Sequence, residues 1–489
     1  MPDPLFLALD LGTSSTRTAL FDHHGQRVPE TTTQEAYSLL TSADSAAELE
    51  PAVLRNAVLR CLEGTMRAYH ANARLRKRPL AAIGVSSFWH SLVGLDAKGR
   101  PLTRIITWAD ARCRKDAANL REEFSEKTIH ARTGCMLRSS FWPAKLAWLR
   151  RTQKALFSKV HRWVSPAEWL QLELSGETHC AIGMATGTGI FDPTKLDWDD
   201  ELLERLHVSR EQLHPLTDDP IPVAGKLASL HHELRDCAWF PAIGDGAASN
   251  LGSGATRPGF AAINVGTSAA LRVMRSGAKA QAPFGLFCYR VDAKRFLVGG
   301  AISNAGILRA WCLRELRLGS DAEIEAALTK NPSPDQTLTV LPFWAAERAP
   351  TWNEDLRGAI LGLNLNTTAL DLLQAITEAS YQRIAQIGDL VLATEKSVPK
   401  FLVSGGIQHS RGSMQRLADV LGYPIFANPE AEASIRGAAV FVLEKLGHPI
   451  TPLKAGRAIR PGAKVASIFA KRRALQAKLE TILEVNPLE

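Results

Sequence analysis

The chain opens with two apolar runs folded around a polar knot. Residues 5–28 read as a hairpin. Apolar strands flank Gly12-Thr13-Ser14-Ser15, and a second turn follows at Asp22-His23-His24-Gly25. Apolar positions then recur at helical spacing over 49–70, at Leu54, Val58, Leu62 and Met66. Ala81 to Ser86 is predicted as a buried strand. Leu92 to Asp96 is predicted as another, ended by the turn from Asp96 to Pro101. Helices are expected at about 113–126, 143–151 and 166–175, followed by a mixed, loop-rich stretch to about 215.

From about Gly252 the scheme repeats. A hairpin is predicted at 260–275, a strand at Phe296 to Val298 and a helix from about Ile307. A long helix is expected over 369–394. The strand Phe401-Leu402-Val403 follows, then Ser404-Gly405-Gly406 and a helix at 412–422. Strand-then-helix alternation in two halves, each opened by the same hairpin, predicts an α/β protein. It would have two domains of one duplicated plan, residues 1–252 and 253–489, with a ligand cleft between them. A chain of 489 residues also exceeds the size at which one core stops growing.

The duplicated hairpin carries the first chemistry. Ala8-Leu9-Asp10-Leu11-Gly12-Thr13-Ser14 is matched by Ala262-Ile263-Asn264-Val265-Gly266-Thr267-Ser268. Glycine allows a tight turn whose backbone N–H groups converge on an anion, and the hydroxyls add donors. One such turn is an ordinary hairpin loop. Two facing each other across a cleft would grip a polyphosphate from both sides. Asp10, just ahead of the first turn, would repel phosphate unless a cation intervened, which reads as Mg²⁺ coordination through water. The bland alternative is an Asx-type turn residue.

Asp245 lies between glycines in Ile243-Gly244-Asp245-Gly246-Ala247, at a predicted strand end. It suits a general base that takes a proton from an attacking hydroxyl; a helix N-cap is the structural alternative. The flanking glycines would let another molecule approach. Two polar and aromatic clusters also follow strands: Ser86 to Ser91, with Trp89 and His90, and Thr107 to Arg112, with Trp108, Asp110 and Arg112. Aromatic faces beside polar groups suit a sugar. No Walker loop and no dinucleotide fingerprint occur.

Bulk numbers narrow the class. Net charge is +8, with basic runs at 74–78 and 471–473. Without interleaved aromatics these read as solvated faces rather than a nucleic-acid surface, and a mild positive field suits anionic substrates. The first strand begins near Leu5, which leaves no room for an N-terminal DNA-binding module. Residues 1–10 lack the layout of a signal peptide and no apolar run reaches membrane-spanning length. Seven scattered cysteines suggest reduced thiols in a cytoplasmic protein, not a disulfide framework or zinc site.

These motifs, in this order, resemble the FGGY carbohydrate kinase family within the actin-like ATPase superfamily, essentially end to end. Leu9 to Ser14 resembles its first phosphate motif and Asn264 to Ser268 the second. Trp89-His90 falls at its sugar-contacting pair, Trp108 to Arg112 at its W-x-D-x-R segment, and Asp245 at its catalytic aspartate. Gly299, Gly300 and Gly306 resemble its glycines near the nucleotide. Glu347 to Trp352 with Arg357-Gly358 matches its E-R-x-P-x-W stretch. Ser404-Gly405-Gly406 with Ser410, Gln415, Ala418 and Asp419 resembles the adenosine motif, and Ser434 with Gly437-Ala438-Ala439 closes the pattern.

The resemblance implies two ribonuclease-H-like domains and ATP- and Mg²⁺-dependent phosphorylation of a sugar, polyol or sugar acid. Asp245 would be the base, Asp10 would lie near the metal, and the two turns would hold phosphates. The stretches from His90 to Asp110 and from Thr133 to Leu149 look most like the gluconokinase branch, with gluconate as acceptor. Arg112, Arg138 and Lys145 would be its candidate carboxylate partners. Residues 135–142 and Ile407 depart from the pattern. A ketopentose such as xylulose, or a polyol, is the alternative acceptor. A non-catalytic actin-like switch and a catalytically dead regulator are the alternatives of another class. A homodimer is compatible with all of these.

Overall fold

The computed structural model describes residues 2–330, 338–463 and 465–485; Met1 and 486–489, the ends of the two expected domains, lie outside them. Two mixed sheets form the frame. In the first, β1 (Leu5–Leu11) and β2 (Ser15–Asp22) make the predicted antiparallel hairpin, and β3 (Thr33–Ala36) extends it. Strand β4 (Leu80–Ser87) lies parallel to β1 on the other side. Strands β5 (Ile221–Pro222) and β6 (Ala238–Trp239) complete the order β5-β6-β4-β1-β2-β3, and β7 (Ile243–Gly244) also pairs with β4.

The second sheet repeats the plan. Strands β8 (Phe260–Val265) and β9 (Ala269–Ser276) form the hairpin, and β12 (Lys400–Ser404) lies parallel to β8. With β10 (Phe287–Arg290), β11 (Arg295–Ile302), β13 (Ile425–Ala427) and β14 (Ala458–Ile459), the order is β10-β11-β9-β8-β12-β13-β14. The correspondence extends to register: Asp10 sits opposite Ser86, and Asn264 opposite Ser404. The turns themselves differ in length. Leu11 pairs with Thr16 across four residues, whereas Val265 pairs with Ala269 across three.

The helix predicted over 49–70 is α1 (Pro51–Ala71), which buries Leu54, Val58, Leu62 and Met66. The helix expected over 113–126 is instead two, Arg114–Glu123 and Glu126–Thr133. Ser125 breaks it by capping the second: its hydroxyl accepts from the Thr128 N–H. In the second half, α3 (Gly306–Glu315), α4 (Ala369–Leu392) and α5 (Arg411–Leu421) fall within a few residues of the predicted spans.

Two helices join the halves. Helix α2 (Asp245–Ser253) crosses α6 (Ala433–Lys445) with the backbones nearly touching. A methyl group on Gly437 would come 1.8 Å from the Ala248 carbonyl oxygen, and one on Gly252 1.8 Å from that of Ala433. Helix α6 also packs on the first sheet, where a methyl group on Gly84 would lie 2.2 Å from the Ala438 carbonyl oxygen. The second half thus lends a helix to the first, and the expected division at 252/253 falls inside α2, one residue before its end. Helix α6 lacks a readable period because nearly all of it is buried, Ala433 and Ile435 to Leu443. One large core spans both sheets. A separate apolar cluster, with Trp142, Trp163 and Trp198, builds the mixed region after Leu92.

Candidate active site

Each phosphate-type turn is pinned by its neighbours. Gly12 N–H donates to the Ser15 carbonyl, and a methyl group on Gly12 would lie 2.8 Å from that oxygen. The second turn is held from behind by α3: Gly306 N–H donates to Gly266 O at 2.9 Å and Ile307 N–H to Thr267 O at 3.0 Å. A methyl group on Gly306 would sit 2.3 Å from Gly266 O, so only glycine permits this approach. Gly405, at φ +92°, leaves equally little room: a methyl group there would be 2.5 Å from Val265 O.

Asp245 is the first residue of α2, with Gly244 as the cap, so its carboxylate sits at the positive end of the helix. One carboxylate oxygen accepts the Gly246 N–H at 2.7 Å. Burial pushes its pKa above the usual aspartate range, against the lowering effects of Arg272, the Gly246 N–H and Arg348. The glycines beside it serve Trp89 rather than an incoming molecule. A methyl group on Gly244 would lie 1.7 Å from the indole Cε2, and one on Gly246 2.7 Å from Cζ3. The indole is fixed in turn by its N–H to Gly183 O at 2.7 Å.

Asp245 and Trp89 line a cavity of about 240 Å³. Thr13 and Trp108 of the first half share it with Asn264, Ser268, Arg272, Tyr289 and Arg348 of the second. Trp108 links the halves: its indole N–H donates to Thr13 Oγ1 at 3.0 Å, and the Arg348 guanidinium lies over its ring at 5.0 Å. His90, also in the wall, takes a left-handed φ of 65°. Its Nδ1 faces the Gly187 carbonyl, which can only accept, and burial pushes the ring pKa down to about 3. The imidazole is therefore neutral with Nε2 an acceptor, suited to a hydroxyl.

A second cavity, of about 450 Å³, lies on the other side of the second turn. Gly266, Thr267, Gly306, Gly406 and Ser410 line it, with Ile307, Arg309, Leu313 and Tyr381. Its surface is mainly apolar with several hydroxyl side chains, as a nucleoside requires. The Gly266-Thr267-Ser268 turn is thus the partition between the two cavities: Gly266 and Thr267 face one, Ser268 the other.

Asp10 is buried behind the first turn and does not line the Asp245 cavity. Burial raises its pKa to about 6. Arg17 lowers it, and Asp245 and Glu432 raise it. Arg17 stands 3.8 Å from Asp10 and is held at 2.6 Å by Glu432, so Asp10 is only partly neutralised. Among the described residues no cluster of three metal-ligating side chains exists. That donor set fits Mg²⁺, which keeps waters and takes one or two carboxylates together with substrate phosphates.

Several expected site residues lie elsewhere. Asp110 and Arg112 do not line either cavity. Asp110 is buried, accepts the Ala47 N–H and pairs with Arg112 at 2.7 Å; Arg112 also binds Glu48 and lies over Trp148. They brace the segment that carries Trp108. Arg138 pairs with Glu126, and buried Lys145 donates to the carbonyls of His90 and Ser140, so none of the three expected carboxylate partners lines the Asp245 cavity. Gly300 packs against Ala349 and Ile387 inside β11, outside both cavities. Gly12 and Ser14 instead hold Tyr37, whose hydroxyl donates to Gly12 O and whose N–H donates to Ser14 O.

Arg272 and Arg348 are the cations the cavity does contain. Sequence reasoning assigned neither a role. For Arg272 the available signal was a lone arginine in the otherwise apolar strand from Ala269 to Met274.

A duplicated α/β fold with a glycine-hydroxyl turn between two cavities, one lined by Asp245, is that of the ribonuclease-H-like, actin-like ATPase class, which includes phosphoryl-transfer enzymes. The N-terminal domain of the FGGY family of carbohydrate kinases matches residues 5–230, and the C-terminal domain of that family matches residues 261–443. The chain belongs to the FGGY family of carbohydrate kinases. It is 27% identical over 467 residues to a gluconokinase of Bacillus subtilis, covering 90% of this chain and 87% of the relative. It is also 27% identical to a xylulose kinase of Klebsiella pneumoniae, covering 97% and 98%. The crystal structure of a gluconate kinase from Lactobacillus acidophilus superposes with a TM-score of 0.89 at 25% identity, covering 99% of both chains.

Proposed function

We propose that this carbohydrate kinase transfers the γ-phosphoryl group of ATP to gluconate, giving 6-phosphogluconate and ADP. The observation that carries the reading is the partition: one Gly-Thr-Ser turn stands between a cavity holding Asp245 and a second, mainly apolar cavity. The nucleoside would occupy the second cavity, against Ile307, Leu313, Tyr381 and Ser410. Its phosphates would lie along the Gly266-Thr267-Ser268 turn, met from the first half by Thr13. The acceptor would lie on Trp89, with hydroxyls toward His90 and Asp245. Mg²⁺, held through water by Asp10, would offset phosphate charge.

Asp245 takes the proton of the 6-hydroxyl as that oxygen bonds to the γ-phosphorus. The bond from the γ-phosphorus to the bridging oxygen breaks, and its electron pair leaves with ADP. The Arg272 and Arg348 guanidiniums oppose the rise that burial imposes on the Asp245 pKa, which favours its carboxylate form. The similarity to gluconokinases over 90% of the chain is consistent with gluconate, and the similarity to xylulose kinases makes xylulose the competing acceptor. All seven cysteines are buried free thiols, which supports a cytoplasmic setting. Coupled ADP-release assays over gluconate, other sugar acids, xylulose, glycerol and sorbitol test the substrate. Turnover of gluconate well above the neutral acceptors is expected. An inert gluconate beside an active xylulose would refute it.

A further inference from the structure

Arg272 is a half-buried charge that folding leaves without an ion-pair partner. It stands on β9, and its guanidinium lines the Asp245 cavity. Nε and Nη1 are closed to water and have no hydrogen-bond partner. Among the described residues no carboxylate forms an ion pair with it; Asp245 acts on it only through space. Fully buried arginines of this chain have partners that Arg272 lacks: Arg416 also leaves Nε and Nη1 without a hydrogen bond, but it is ion-paired with Glu378 at 3.3 Å. Arg383 pairs with Glu347 and Glu480, and Arg290 donates to the carbonyls of Pro193, Gly277, Ala278 and Ala293. A cation whose N–H groups are shut off from water without partners is costly to the fold and calls for an anion.

The surrounding backbone makes room for it. A methyl group on Gly299 would lie 3.1 Å from the Arg272 Cγ, and one on Gly246 3.0 Å from Nε. Arg348 stands beside it in the same wall and is held still: Nε donates to Ser303 Oγ at 3.2 Å, Nη2 to Ile302 O at 3.1 Å, and the plane lies over Trp108. Two guanidiniums thus share one cavity wall with the single carboxylate of Asp245. A neutral sugar leaves one positive charge unbalanced, whereas a carboxylate balances it and matches the fork of an arginine. Position favours an acceptor group over the donor phosphate. Four residues of strand, about 13 Å of rise, separate Arg272 from Ser268 in the phosphate turn.

We infer that Arg272, seconded by Arg348, binds the carboxylate of the acceptor and makes this site selective for sugar acids. The inference rests on the kinase reading above and names the residue that sets its substrate class. The test compares gluconate with gluconamide, its neutral isostere, by kcat/KM in the coupled assay, for the wild type, Arg272→Gln and Arg272→Lys. The wild type prefers gluconate by about 100-fold, Arg272→Gln abolishes that preference mainly through KM, and Arg272→Lys restores part of it. ATP binding by calorimetry reports that each variant is folded; if Arg272→Gln does not fold, Arg272→Lys and Arg348→Gln are scored by the same ratio. Equal losses on both acceptors would overturn the inference and assign Arg272 to the phosphoryl group or to the fold. If the wild type ignores gluconate but phosphorylates another sugar acid, only the gluconate reading fails, and Arg272 is judged on that acid and its amide. Turnover of neutral sugars alone overturns the inference while leaving the kinase intact.

Discussion

The Trp89 indole lies against Gly244 so closely that a single methyl group there would come 1.7 Å from its Cε2. The Trp89 indole and the backbone that carries Asp245 are therefore one packed unit. Gly244→Ala must displace Trp89 or the turn. It is expected to destabilise the protein by about 2 kcal/mol, within the range for overpacking a core. It should also lower kcat more than it weakens nucleotide binding. Thermal melts, steady-state kinetics and calorimetry measure the three effects; a fully active, equally stable variant would show that the packing is not required.

Lys145 holds the wall of the Asp245 cavity from behind. It is buried and donates to the carbonyl of His90, whose backbone is in the left-handed region, and to that of Ser140. Burial pulls its pKa down to about 8. Lys145→Met leaves both carbonyls without this donor, at a cost of about 1–3 kcal/mol. The expected signature is a lower melting temperature with a raised acceptor KM and an unchanged ATP KM.

Nucleotide and acceptor sites should separate by mutation. Gly306→Ala drives a methyl group to 2.3 Å from the Gly266 carbonyl oxygen and pushes the turn out of place. Titration with ADP is expected to show at least a tenfold weaker affinity, whereas the tryptophan fluorescence change on acceptor binding persists. Loss of both signals together would mean that the variant disturbs the whole fold.

The pH profile should carry the mark of Asp245. Burial raises its pKa above that of a free aspartate, while Arg272 and Arg348 draw it back down. A base works only when ionised, so kcat/KM falls as pH drops through this raised value, at a higher pH than for an exposed carboxylate. Removing a cation that favours the anion raises the pKa further. The acid limb of Arg272→Gln should therefore move to higher pH. A limb that stays put or moves down would contradict the coupling.

Sequence and structure agree where local pattern decides. The paired hairpins were legible because burial makes β1 and β8 apolar except at Asp10 and Asn264, with the glycine turn as punctuation. Asp245 was legible because glycines mark its turn, although their reason, the Trp89 ring, arrives from a distant segment and leaves no local sign. Partnering could not be read. Arg112 looks like a free cation beside Trp108, yet it is consumed by Asp110 and by Glu48, 64 residues away. Arg272 looks like one more basic residue until the strand's buried face is known. Helix α6 was missed for the opposite reason, since burial on nearly every side erases the helical period.

The role of Asp245 is most directly tested by single-turnover kinetics of Asp245→Asn with ATP and gluconate. The side chain keeps its size and can still accept the Gly246 N–H, but it cannot take a proton. Phosphoryl transfer should slow by about 10²–10⁴-fold while ATP and gluconate still bind. Transfer at a rate near that of the wild type would contradict the account.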